Sequence, residues 1–328
     1  MSNTRLERPQ RPRLLIITPV YNESEVLSRY VEEVRRVLFL DQGFDVNILF
    51  VDDGSVDGSW ELIERLTEQP GFLAIRLSRN FGAHTALAAG FDHVPEDTDI
   101  VATLAADLQD PPETILAFVQ EWRNGADIVW GARRSRTEST FRRVAVQAFE
   151  SGLRRYAMPR GSKFQTGSFF LIDRIVLDCV RRFGEHARVT FALVAWTGFN
   201  QAIVFYDRRR RIEGRSGWTL WQVMNAAYDV FISFSPVPAK LLTILGVFTL
   251  LGSFAAAFYI TLIWFLQDVQ PGWTGLMATL TLYFGLLFVM LGLTFEYLYR
   301  IFVETKGRPL YFISHQAGDV RQRGRRNE

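Results

Sequence analysis

Cysteine is almost absent. Cys179 stands alone among 328 residues, so no intrachain disulfide can form, a disulfide-stapled secreted scaffold is excluded, and a reducing compartment is the simplest setting. Histidine is scarce as well: His84, His93, His186 and His315 show no metal-ligand spacing and read as structural or surface residues. A strong charge of either sign is missing, and a net charge of +2 gives no reason to expect a nucleic-acid partner. The opening MSNTRLERPQRPR has no apolar run, so no cleavable signal peptide is expected before the first strand. No GXGXXG follows that strand, which speaks against a dinucleotide oxidoreductase, a class that a test for NAD binding would close. Internal repeats and low-complexity segments are lacking too.

What is present is a mixed chain, 48% hydrophobic and 22% charged, with a mean hydropathy of +0.05. That is apolar for a soluble protein and too charged for a polytopic transporter. The hydrophobic residues gather in two uncharged runs, Leu241 to Leu266 and Trp273 to Phe295, each long enough as a helix to cross a hydrocarbon core of about 30 Å. Two membrane spans are therefore expected, rather than the buried helical hairpin of a large soluble core. The linker between them holds Asp268 and no Lys or Arg. Lys240, Arg300, Lys306, Arg308 and the RQRGRR tail lie on the other side, so both termini should be cytoplasmic.

Residues 13 to 217 read as a soluble α/β domain with a mostly parallel sheet. The β-rich runs RLLIITPV (13–20), VNILFV (46–51), Leu73 to Leu77 and Ile100 to Leu104 alternate with helical patterns at Ser24 to Leu40 and Ser59 to Glu68. The second helix follows a DGS turn able to cap it. Such alternation implies βαβ units with a ligand crevice at the carboxyl ends of the strands. Polar motifs follow each strand there: TPVYNE, VDDGS, LSRNFGAHTA and AADLQDPPE.

Asp52 and Asp53 end an apolar run and precede Gly54 and Ser55, a turn suited either to gripping a ribose or base or to capping a helix. Asp107, Gln109 and Asp110 follow the fourth strand and precede Pro111 and Pro112. Oxygen side chains at alternate positions of an extended segment point the same way, as a hard divalent cation bridging phosphates requires.

Taken together, TPVYNE, VDDGS, RNFG with its helix and DLQDPPE resemble family 2 glycosyltransferases of the GT-A fold. The two carboxyl-terminal runs narrow the likeness to the polyprenyl-phosphate glycosyltransferases, relatives of dolichol-phosphate mannose synthase and bactoprenol glucosyltransferases, and EYLYRIFVETKGRPLYFI is similar to that subgroup's own ending. The resemblance implies a nucleotide-sugar donor, UDP- or GDP-linked, with Pro19, Tyr21, Glu23, Asp52, Asp53, Arg79 and Asn80 around it. It also implies a Mg²⁺ or Mn²⁺ cofactor. The family's metal motif is Asp-X-Asp-X-Gln. Here the row reads Ala105, Ala106, Asp107, Leu108, Gln109, which leaves Asp107 and Gln109 as ligands and Ala105 where a first carboxylate is expected. The chain is then either an enzyme that binds its cation with fewer protein ligands or a weakened, even silent, nucleotide-sugar-binding membrane protein.

The same resemblance makes Asp107, Arg133, Arg211 and Ser216 the catalytic set, the last two from RIEGRS, which matches the family's Arg-X-X-Gly-X-Ser. Arginine forks suit phosphate, and the acceptor that the resemblance implies is a polyprenyl phosphate in a lipid bilayer. Of RRRR at 208 to 211, Arg211 is expected at the reaction and its neighbours at anionic headgroups. In KFQTGSFF, Ser168 occupies the position where relatives often carry an acidic residue. A lipid phosphate is largely dianionic near neutral pH, its second pKa being about 6, so it needs no strong protein base. Inversion and a single transfer are implied, and no Gln-X-X-Arg-Trp signature supports polymerisation.

Five segments are expected: a flexible tail (1–12), the GT-A domain (13–217), an interfacial amphipathic helix (218–237), a transmembrane hairpin (238–303) and a cytoplasmic tail (304–328), with a second, weaker interfacial stretch at Pro309 to Ile313. The protein should be integral to the inner or plasma membrane, or to the endoplasmic reticulum in a eukaryote, and the sequence is compatible with self-association.

Overall fold

The computed structural model describes residues 8–40, 42–134, 167–185, 190–209 and 272–318, together with Lys163 and scattered positions between 244 and 262. Two compact units are present, one formed by Met1–Val230 with Pro309–Glu328 and the other by Phe231–Arg308.

The first unit is built on β1 (Arg13–Val20), β2 (Asp45–Asp52), β3 (Phe72–Leu77), β4 (Ile100–Thr103), β5 (Ile128–Arg133), β6 (Phe170–Asp173), β7 (Gln201–Tyr206) and β8 (Ile313–Ala317). They form one sheet in the order β7-β5-β6-β4-β1-β2-β3-β8. The pairs β1/β2, β1/β4, β2/β3 and β5/β7 are parallel. β6 runs antiparallel to both β4 and β5, and β8 runs antiparallel to β3. The fold is thus α/β with a mostly parallel sheet.

The helices of this unit are α1 (Ser24–Leu38), α2 (Ser59–Leu66), α3 (Ala83–Asp92), α4 (Thr114–Arg123), α5 (Arg174–Arg181) and α6 (Thr190–Trp196). α1 forms because Val26, Tyr30, Val34 and Leu38 recur on one face, and all four are buried. The sheet strands are near-continuous apolar runs because both faces are covered: Leu14 through Ile17 and Ile48 through Val51 are sealed from solvent. Chain order reverses at β1, which lies between β2 and β4. This is the switch point beside which α/β sheets open a crevice.

Of the second unit, one long helix is described, α7 (Trp273–Lys306), 34 residues. Its stretch Leu282–Lys306 is long and apolar enough to cross a membrane. Two spans were expected, and among the described residues one such helix is found. The 241–266 run is described only in part, with helix at 244–249, and the expected helix at 218–237 lies outside the described residues. α7 also outruns the uncharged segment. It continues through Glu296, Arg300 and Glu304 and ends only at Gly307, whose φ of 58° is the usual glycine stop. The chain beyond it, expected as a tail with an interfacial stretch, supplies the edge strand β8 from Ile313 onward.

Candidate functional site

The loops after β1 and β2 are hydrogen-bonded to each other. Asn22 takes φ 54°, a left-handed conformation that asparagine tolerates. Its N–H donates to Ser55 Oγ (2.9 Å), and its Oδ1 accepts from the Val56 N–H (2.9 Å). The Glu23 N–H donates to Ser59 Oγ (3.1 Å). Asp57 accepts from the Ser24 N–H (2.9 Å) and from the N–H and hydroxyl of Ser59 (3.0 and 2.6 Å). One carboxylate therefore caps the starts of both α1 and α2. The expected cap from the DGS turn is real, but it comes from Asp57; Gly58, at the N-cap position, has no side chain to give. Burial acts to raise the Asp57 pKa, yet the serine hydrogen bonds outweigh it and hold the carboxyl down at about 2.

The loops after β2 and β3 join equally closely. Asp53 Oδ1 accepts from the Phe81 N–H (2.7 Å) and Oδ2 from the Gly82 N–H (2.9 Å). Gly54, at φ +74°, sits so near the next loop that a Cβ there would lie 2.6 Å from the Arg79 carbonyl carbon and 2.9 Å from the Asn80 nitrogen. Asp52 has no accessible surface: Ser55 N–H donates to it (3.2 Å) and Arg76 Nε is 3.1 Å away. Burial pushes both carboxyls up, against the pull of these donors. Asp53 thus holds two loops together, while Asp52 ties its own loop to β3 and has no surface to offer a ligand. Around them, Tyr21 is 46% exposed, Pro19 and Glu23 are partly exposed, and Arg79 and Asn80 are exposed, with the Arg79 guanidinium 4.0 Å over the Phe81 ring. The expected nucleotide-side residues are therefore neighbours at one end of the sheet.

The fourth loop departs from the extended form expected of it. β4 stops at Thr103, and Ala106 and Asp107 lie in a turn. The alternation survives all the same: Ala105, Asp107 and Gln109 are partly exposed, while Ala106 and Leu108 are buried. Leu108 adopts φ 54°, which for a bulky residue stores on the order of 1–3 kcal/mol of strain and is held by burial of its side chain. The Gln109 N–H donates to Asp107 Oδ1 at 3.1 Å. One carboxylate and one amide oxygen on the same face are the oxygen chemistry that a hard cation takes, and Mg²⁺ often uses only one or two carboxylates besides its waters and phosphates. The residues present fit such an ion as a partial shell. Among the described residues no group of three His, Cys, Asp or Glu gathers to hold a metal.

On the other side of this loop, Arg133 and Tyr206 end β5 and β7 in register. Tyr206 donates to Asp110 Oδ1 at 2.5 Å, and Arg208 Nε is 3.7 Å from the same oxygen. Arg209 pairs with Glu33 and Glu113, and its N–H donates to the Gln109 carbonyl (2.9 Å). Arg208 and Arg209, expected at lipid headgroups, are therefore engaged by acidic groups of the sheet unit. Arg211 and Ser216 lie outside the described residues, as does His186. Ser168 is fastened to β4 through its carbonyl, which accepts from the Thr103 hydroxyl. His84, His93 and His315 lie against Phe191, Tyr311 and Trp60 respectively. Sequence reasoning found the cap of α2 through the Asp-Gly-Ser run but not the second bond of Asp57, to the start of α1, and it missed Tyr206, to which nothing local points.

The family model described as glycosyl transferase family 2 matches residues 15–181. A glycosyltransferase of Synechocystis sp., itself uncharacterised, is 36% identical over 307 residues, covering 92% of this chain and 94% of its own. The bactoprenol glucosyl transferase of Shigella phage SfX is 30% identical, covering 92% and 98%. The undecaprenyl-phosphate 4-deoxy-4-formamido-L-arabinose transferase of Edwardsiella ictaluri is 32% identical, covering 92% and 93%.

Proposed function

The chain belongs to glycosyl transferase family 2, and from that premise we propose that it moves one sugar from a UDP- or GDP-sugar to a polyprenyl phosphate at a membrane surface, with inversion. The observation that carries this reading is the knot of strand-end loops: three of them converge on Asp53, Ser55 and Asp57, with Asp107 and Gln109 on the fourth, at the switch point of the sheet. The acceptor class is supported by two relatives that align over nearly their whole length, one named for bactoprenol and the other for undecaprenyl phosphate, and by the apolar helix α7.

In the proposed reaction a phosphate oxygen of the lipid attacks the anomeric carbon. The bond from that carbon to the donor's diphosphate breaks, and its electron pair leaves with the nucleoside diphosphate. A single displacement inverts the centre. Asp107 and Gln109 would hold Mg²⁺ or Mn²⁺, which when bound supplies positive charge beside the leaving diphosphate. Tyr21, Arg79 and Asn80 border the nucleotide, while Asp53 keeps the loop after β3 in place. Arg133, and Arg211 with Ser216 from RIEGRS, address phosphate, and fixed guanidinium groups stabilise charge as it develops without reorganising. Both termini face the cytoplasm.

The test is to assay the purified full-length protein with a panel of UDP- and GDP-sugars and undecaprenyl phosphate, extracting the lipid product. A sugar-bearing lipid is expected. Ala105 favours one other reading, a silent nucleotide-sugar binder, and donor binding without transfer even at high Mn²⁺ would identify it.

A further inference from the structure

Tyr206 does more than fill space. Its ring meets Phe169 edge-on at 5.3 Å and underlies Gly131, where a Cβ would come within 3.0 Å of the tyrosine ring and 2.9 Å of Phe169. Phenylalanine would satisfy that packing. The hydroxyl instead donates to Asp110, which is 7% exposed, and Arg133 is the cross-strand partner of Tyr206 at the ends of β5 and β7, so the two side chains leave the same face of the sheet. A buried carboxylate, a neutral phenol and a partly exposed guanidinium are thus set in sequence from the loop after β4 to the end of β5. The guanidiniums of Arg133 and Arg208 both stand in the field of the Asp110 carboxylate, which also feels the like charge of Asp107.

The order of the chain is informative. A direct bidentate pair between Asp110 and Arg133 would occupy the planar fork on its best edge. Here the carboxylate instead holds the hydroxyl of Tyr206, the cross-strand neighbour of Arg133, so it acts on the guanidinium through a neutral group and leaves the fork's best edge to another partner. Arg133 leaves β5 on the same end of the sheet as Asp107 and Gln109, which the Asp110 loop also carries.

Building on the proposed transferase reading, we infer that Asp110 and Tyr206 are positioning residues that hold the Arg133 guanidinium to receive a phosphate oxygen. Two phosphates visit such a site, the phosphomonoester of the acceptor and the diphosphate of the donor, and the chemistry of recognition is the same for both.

The experiment is a double-mutant cycle on the full-length protein in detergent. Tyr206→Phe, Arg133→Ala and the double variant are compared by calorimetry for affinity toward UDP and toward a water-soluble short-chain prenyl phosphate, neither of which requires turnover. Tyr206→Phe should weaken one of these probes about ten- to a hundredfold, the worth of one charge-assisted hydrogen bond. The other should stay within about twofold. Loss of the prenyl phosphate assigns Arg133 to the acceptor, and loss of UDP assigns it to the donor. In the Arg133→Ala background the Tyr206→Phe effect should vanish, because a positioning residue acts through its partner. Additive losses, or unchanged affinity for both probes, would overturn the inference. Should Tyr206→Phe fold poorly, Asp110→Asn, which still accepts from the tyrosine but lacks the charge, replaces it in the same cycle. A wild-type protein that binds both probes yet transfers no sugar sinks the transferase reading and leaves the cycle readable.

Discussion

At Gly54 the loop after β2 leaves no room for a methyl group, since a Cβ would press to 2.6 Å from backbone atoms that cannot swing away, and φ is +74°. Gly54→Ala should lower stability by about 1–3 kcal/mol through the dihedral alone. It should also push Arg79 and Asn80 aside and weaken nucleotide binding; denaturant unfolding and UDP calorimetry would show both, and a variant unchanged in both would remove this contact from the account. The loop after β4 offers the converse case, a residue that is too small. Ala105→Asp should tighten Mg²⁺ or Mn²⁺ binding measured in the presence of UDP by roughly 10- to 100-fold, the scale of effects seen for groups supporting a metal. In chelator the new carboxylate should repel the nucleotide. Equal metal affinity in parent and variant would show that Ala105 is no deficit. At this scale the site was half legible. Strand-end polar residues announce themselves by following apolar runs, so Asp53 and Asp107 could be read from the sequence. Tyr206 finds Asp110 across 96 residues, and no local pattern encodes that meeting.

Among the elements, α1 and α2 share Asp57 as a common start, and this gives the protein a defined acid response. Its folded pKa, about 2, lies below the ordinary 3.8, so the carboxylate's contribution is present in full above about 4 and is lost as pH falls toward 2. Asp57→Asn should therefore lower the melting temperature at pH 6, and the gap to the parent should close by pH 2. A gap that stayed constant with pH would assign the effect to shape rather than charge. The elements themselves were read unevenly. β1 was read to the residue because its apolar run Leu14 to Ile17 is bracketed by Arg13 and the TPVYNE motif, and β4 was overshot by one residue because Leu104 is as apolar as the strand before it. β8 was missed because Ile313–Ala317, as an edge strand, is mostly polar and partly exposed, and nothing in ISHQA marks it as a partner for β3. α7 was expected to stop with its uncharged run, but charged residues do not end helices, whereas a left-handed glycine does.

For the molecule as a whole, the positive residues flanking the apolar segment make orientation testable. If Lys240 and Arg300 both face the cytoplasm, Gln270→Cys should react with an impermeant thiol reagent from the outer or lumenal side of intact vesicles, while Cys179 stays protected until they are opened. Labelling of both from one side would reverse that assignment. The sheet has a further bearing on how the protein is made. Its two edges, β7 and β8, are separated in the chain by the whole of Phe231–Arg308, so β3 has no outer neighbour until that apolar stretch has left the ribosome. The apolar helix is thus synthesised before the sheet receives its last strand. A chain arrested within that stretch presents an open strand edge, a ready template for pairing with another chain.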